Sequence, residues 1–134
     1  MKEQILKQLK GISPGSLVSV NWCDASIGKS MDVGLEVDVP VETWGIFIGL
    51  LGQKNKHIVI IHSAYRYSDG DLDLEYTAIP IDWTTTITVI TKDLVGRKMA
   101  RKFYHSFLKG GRMRGRMHGR TSVGRRVRNH AKLV

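Results

Sequence analysis

Residues 16–91 leave no room for a crossover connection. Strand-like segments follow one another with only short turns between them. In 17-LVSVNW-22, Val18, Val20 and Trp22 alternate with Ser19 and Asn21. In 35-LEVDVPVE-42, Leu35, Val37, Val39 and Val41 alternate with Glu36, Asp38, Pro40 and Glu42. This two-residue period belongs to a strand with one dry and one wet face. Pro40 falls on the wet phase and predicts an edge or a bend. The run 44-WGIFIGLL-51 is denser, with Gly45 and Gly49 as points of bending or close backbone approach. The loop 52-GQKNK-56 leads into 57-HIVIIHSAYRY-67, and 68-SDGD-71 is a hairpin turn. Leu72, Leu74, Tyr76 and Ala78 then alternate with polar residues. Pro80 interrupts, and 84-TTTITVIT-91 is a final, β-branched strand.

Parallel pairing needs connections of a dozen or more residues, so the sheet is expected to be antiparallel. Short, bent, closely spaced strands predict a small barrel of five or six strands, closed or nearly so. The fold class is therefore mainly β. The segment 2-KEQILKQLKGI-12 adds a short amphipathic helix, with Ile5, Leu9 and Ile12 at helical spacing and Gly11 as its stop. Such a short helix must dock to persist. Helix and barrel occupy 1–91.

Beyond residue 91 the composition changes. The segment 93-DLVGRKMARKFYHSFLK-109 predicts a basic amphipathic helix with Leu94, Met99, Phe103 and Phe107 as its apolar stripe. Gly96 weakens its first turn and 110-GG-111 ends it. The helix belongs to a unit spanning 92–109, and 110–134 is an Arg/Gly-rich extension without apolar periodicity. Residues 1–91 hold seven Lys/Arg and eleven Asp/Glu, net −4, whereas 92–134 hold fourteen Lys/Arg and one acid, net +13. An acidic body joined to a strongly basic segment points to a polyanionic partner.

Catalytic patterns do not accumulate. The tripeptide 28-GKS-30 resembles the end of a P-loop, but the required earlier glycine position holds Cys23, and 31-MDVGLEVDV-39 is strand-like where a helix is needed. His57 and His62 fall on opposite phases of one strand, and His105, His118 and His130 lie among cations, so no metal-ligand spacing emerges. Asp69, Asp71, Asp73 and Glu75 are explained by a turn and a wet strand face. The lone Cys23 beside Asp24 excludes an internal disulfide, and it is the one remaining hint of a nucleophile. The expectation is a non-enzyme without cofactor or metal. The charged N-terminal MKEQILKQLKG departs from a secretory leader, and no long apolar run occurs, so a soluble cytoplasmic protein is expected.

The expected nucleic-acid contacts are Arg97, Lys98, Arg101, Lys102, Lys109, Arg112, Arg114, Arg116, Arg120, Arg125, Arg126, Arg128 and Lys132. Arginine grips phosphate through a planar fork and stacks on bases, and interleaved glycine lets the backbone follow an irregular groove. A membrane role would need an apolar face or a lipid anchor, and 109–128 offers little of either. Full contact by the eight cations of 109–128 with single-stranded RNA gives a log–log salt slope of roughly −6. Arg/Gly segments suit folded RNA more than a regular duplex, which favours RNA, ribosomal RNA included. Trp22, Trp44, Trp83 and most of the tyrosines are expected in the barrel core or on its rim. Tyr65 and Tyr67, flanking Arg66 before an exposed turn, are the candidates for base stacking.

The helix 2–12, the strand 17-LVSVNW-22, the bent strand 44-WGIFIGLL-51, the long strand 57-HIVIIHSAYRY-67 and the closing pair around 76-YTAIPIDWTTTITVI-90 occur in an order that resembles the Sm-like and SH3-like small barrels. The resemblance is one of pattern and covers about two-thirds of the chain. It implies an SH3/Sm-like barrel. Sm-like proteins bind uridine-rich RNA through an Asp/Asn-containing loop and a late Arg-Gly pair. Of the corresponding stretches here, 52-GQKNK-56 holds Asn55 but no Asp, and 79-IPIDW-83 lacks the Arg-Gly pair, so uridine binding and ring formation are not implied. The extension resembles the basic extensions of ribosomal proteins. The expected function is RNA binding as a ribosomal or ribosome-associated component. The alternatives are a DNA-binding chromatin or plasmid-type protein, or an assembly adaptor whose acidic barrel binds other proteins.

Overall fold

The computed structural model describes residues 2–25 and 38–110. The tripeptide 28-GKS-30 and the strand start expected at Leu35 lie outside them. Helix α1 spans Lys2–Lys10, and five strands follow: β1 Leu17–Ala25, β2 Asp38–Leu51, β3 His57–Arg66, β4 Leu72–Pro80 and β5 Thr84–Thr91. A 3₁₀ turn, Ile81–Trp83, joins β4 to β5, and helix α2 covers Arg97–Lys109. All pairings are antiparallel, in the order β4-β3-β2-β1-β5.

This sheet is open, with β4 and β5 as its edges, where the sequence predicts a closed or nearly closed barrel. Two expected strands are also one: 35–42 and 44–51 join in β2. Its first part pairs with β1 through Ile46, and its second part pairs with β3 from Ile46 onward. The crossover between partners is built on glycine. A Cβ on Gly45 would meet Ile60 Cγ2 at 2.3 Å and the Ile61 carbonyl oxygen at 2.6 Å, so any side chain there would push β2 and β3 apart. A register shift between Phe47 and Gly49 completes the bend.

The alternation predicts the first core only in part: Val18 and Val20 enter it, but in β4 the expected dry residues Tyr76 and Ala78 are exposed, and Ile79, on the opposite phase, is buried in it instead. Ile5 and Leu9 of α1 pack on Val18, Val20, Phe47, Ile58, Ile60, Ile79, Ile81 and Ile87. Lys2 and Asp82 add a 3.1 Å ion pair between α1 and the 3₁₀ turn. Both are largely exposed, so the pair contributes less than about 1 kcal/mol. The other face of the sheet is not left wet. Ile48, Val59, Ile61 and Leu72 form a second core with Phe103 of α2. Consequently 58-IVII-61 is buried at every position, two side chains into each core. Continuous apolar runs of this kind belong to strands covered on both faces. Val39 departs from its predicted dry phase and is exposed. It lies beyond the part of β2 that pairs with β3, where among the described residues β1 is the one strand paired with it. Among the described residues no helix is long and apolar enough to cross a membrane.

Candidate nucleic-acid interface

Helix α2 begins at Arg97, four residues later than its sequence suggests. The preceding residues are held by the sheet. Asp93 adopts φ 51° and its N–H donates to Ser16 Oγ (3.1 Å), while the Val95 N–H donates to the Gly15 carbonyl (2.9 Å). Gly96 then caps the helix without a side-chain hydrogen bond, and Gly110 ends it in the left-handed region at φ 83°. The apolar stripe is corrected accordingly. Met99, Phe103 and Phe107 pack into the second core together with Val95, whereas Leu94 is 55% exposed. Leu94 precedes the helix, and even on a helix extended back to it ~100° per residue would place it opposite Phe103.

Burial of that stripe fixes the rotation of the helix. Arg97, Lys98, Arg101, Lys102 and Lys109 are all exposed. At ~100° per residue they fall within an arc of about 140°, opposite the docked side. His105 is exposed in the same arc. Among the described residues none of these five cations pairs with a carboxylate. The first turn contains no acid, although the positive end of a helix favours one. Dipole and side chains therefore add to one electropositive surface. The other expected contacts, Arg112, Arg114, Arg116, Arg120, Arg125, Arg126, Arg128 and Lys132, lie outside the described residues.

The two tyrosines chosen for base stacking stand elsewhere. Tyr65 donates its hydroxyl hydrogen to Glu75 Oε1 (2.6 Å), and Tyr67 donates to Asp73 Oδ2 (2.7 Å). Both belong to the β3–β4 hairpin with Asp69 and Asp71, a charge environment that opposes phosphate. The hydrogen bond to Glu75, followed by the charge of Glu75, raises the Tyr65 phenol above its ordinary value of 10.0. The bond needs the protonated phenol. Its contribution is therefore complete below the ordinary value and is lost as pH rises through the raised one. Glu75→Ala is expected to return Tyr65 toward ordinary tyrosine behaviour, read by alkaline titration of phenolate absorbance; an unmoved titration refutes the assignment.

No protein-family model, curated protein or solved structure matches this chain. Its functional reading therefore rests on its own residues.

An aromatic ring that the sequence did not single out does stand beside the cations. Tyr104 lies over Gly49, where a Cβ would sit 3.7 Å from its ring. It lines a cleft of about 580 Å³ with Pro14, Ile48, Asp93, Arg97 and Arg101. The spacing Arg97, Arg101, Tyr104 was available in the sequence as one side of a helix. Its relation to Pro14 and Ile48 was not. A second cleft of about 410 Å³ joins Lys54, Asn55 and Lys56 to Ile81, Asp82 and Trp83. Its two loops are held together by the Ile81 N–H donating to the Lys56 carbonyl (3.2 Å). Trp83 is 41% exposed and stacks on Trp22, with centroids 6.3 Å apart. Of the three tryptophans, Trp22 is half-buried and packs against the first core, and Trp44 is exposed like Trp83. Cys23 is half-buried on β1 opposite Pro40, and Asp24 is opposite Val39.

Proposed function

We propose that this protein is a non-enzymatic RNA-binding protein, a ribosomal or ribosome-associated component. The observation that carries the reading is the cationic arc of α2: five cations without carboxylate partners among the described residues, aligned by burial of the opposite side in the second core. That arc leads at Lys109 into the arginine-rich extension. Phosphate contacts of this kind supply affinity and position without sequence preference. The sheet serves as the frame that holds the arc in place.

A relationship to the Sm-like and SH3-like small barrels is part of the same proposal. It is supported by the strand order, in which β5 returns to β1, and by the meeting of 52-GQKNK-56 and 79-IPIDW-83 in one cleft.

The test neutralises the arc. A full-length chain with Arg97, Lys98, Arg101, Lys102 and Lys109 all replaced by glutamine is titrated with single-stranded ribosomal RNA across a salt series. The log–log slope is expected to become shallower by about 3.5, from five contacts at ~0.7 each. An unchanged slope overturns the assignment of α2. Competition with double-stranded DNA at fixed salt addresses the other polyanion; displacement of RNA by an equal concentration of DNA phosphate favours the DNA-binding reading instead.

A further inference from the structure

The cleft beside α2 combines three chemistries. Arg97, Arg101 and Tyr104 project from the helix within about 60° of one another. The floor is aliphatic, from Pro14 and the buried Ile48. Asp93 supplies a carboxylate. The walls are tied to the sheet: the Gly15 N–H donates to the Phe47 carbonyl (2.8 Å), and the Gly15 carbonyl accepts from Val95. There is no slack at this junction. Gly15 has φ 103°, and a Cβ on it would lie 2.2 Å from the Val95 carbonyl oxygen. The opening is thus preformed, which reduces the ordering cost of binding.

Each component narrows the ligand. Two guanidiniums one turn apart suit a phosphate. A tyrosine ring over an aliphatic floor suits a planar base. The carboxylate opposes a bare polyphosphate and accepts hydrogen bonds from a base amino group or a ribose hydroxyl. The volume lies within the range of small-ligand sites. A base inside a duplex keeps its faces stacked and cannot offer one to Tyr104, whereas an unpaired base can.

We infer that this cleft receives one unpaired nucleotide of the bound RNA, with its base against Tyr104 and its phosphate on Arg97 and Arg101. The inference rests on the RNA-binding reading above and adds the strand state that the RNA has at this point. It also divides labour between a sequence-tolerant cationic arc and a pocket that distinguishes single strands from duplex.

The test uses the full chain and two probes at one salt concentration: an RNA oligonucleotide of about twelve residues, a length within the usual single-strand site range, and the same strand annealed to its complement. Tyr104→Leu is expected to weaken single-strand binding about tenfold, as loss of one stacking ring does, and to leave duplex binding unchanged. Tyr104→Phe keeps the ring and is expected to retain both affinities. Equal weakening of both probes by Tyr104→Leu, or of neither, overturns the cleft assignment; if wild-type binding is strong, the RNA-binding reading stands without it. Failure of the wild-type chain to bind either probe overturns both. A second readout does not depend on the fold of a variant. Photo-crosslinking of wild-type protein to a thiouridine-substituted single strand is expected to label the α2 peptide containing Tyr104, and labelling confined to other segments overturns the inference.

Discussion

A chain ending at residue 108 is expected to lose most of its RNA affinity and most of its salt sensitivity. The cut removes Lys109, the seven arginines from Arg112 to Arg128, and Lys132. At ~0.7 per phosphate contact on a single strand, full engagement of these cations accounts for a log–log slope of roughly −6. A slope of that size corresponds to about a thousandfold or greater change in affinity between 50 and 200 mM salt. The truncated chain retains α2 up to Leu108 and the cations Arg97, Lys98, Arg101 and Lys102, so weak binding with a shallow slope should persist. Co-sedimentation of both chains with ribosomes across a salt series measures the difference. Equal binding by the two would place the interface within residues 1–108 and sink the proposed role of the extension beyond them.

Phe103→Ala is expected to destabilise the protein by about 3–5 kcal/mol, the usual cost of deleting a buried phenylalanine. Phe103 is 4% exposed and is the α2 side chain buried among Ile48, Val59, Ile61 and Leu72. Its removal opens a cavity in the second core and weakens the contacts that hold the docked side of α2. RNA affinity is therefore expected to fall with stability, although no charge has changed. Leu94→Ala is the comparison. Leu94 belongs to the stripe read from sequence but is 55% exposed, and its loss should cost no more than about 0.5 kcal/mol. Chemical denaturation of both variants distinguishes the two versions of the stripe. Equal losses would mean that the second core does not hold the helix as described.

The contrast between Leu94 and Phe103 shows what pattern alone can reach. Both are apolar and both belong to the one expected stripe, but nine residues at ~100° each put Leu94 on the side of an ideal helix opposite Phe103. The structure adds that the Val95 N–H is bound to the Gly15 carbonyl and that the helix starts only at Arg97. That contact links residues eighty positions apart, and no periodicity encodes it. Tyr65 and Tyr67 teach the same lesson from the other side. Their position before an exposed turn was legible, but the pairing of Tyr65 with Glu75 and of Tyr67 with Asp73 across the hairpin depended on strand register.

The sequence by itself determined the features that depend on near neighbours. Period-two alternation and short turns dictated an antiparallel set of strands, and the charge distribution dictated where cationic binding capacity lies. Gly45 also announced itself as a place of close approach. The tertiary structure decided that the sheet is open, that β3 serves two cores, and that Tyr104 rather than Tyr65 shares a cleft with arginine. These outcomes follow from packing between distant segments. A side chain's neighbours along the chain are set by covalent geometry, but its neighbours across a core are set by which faces must be buried together.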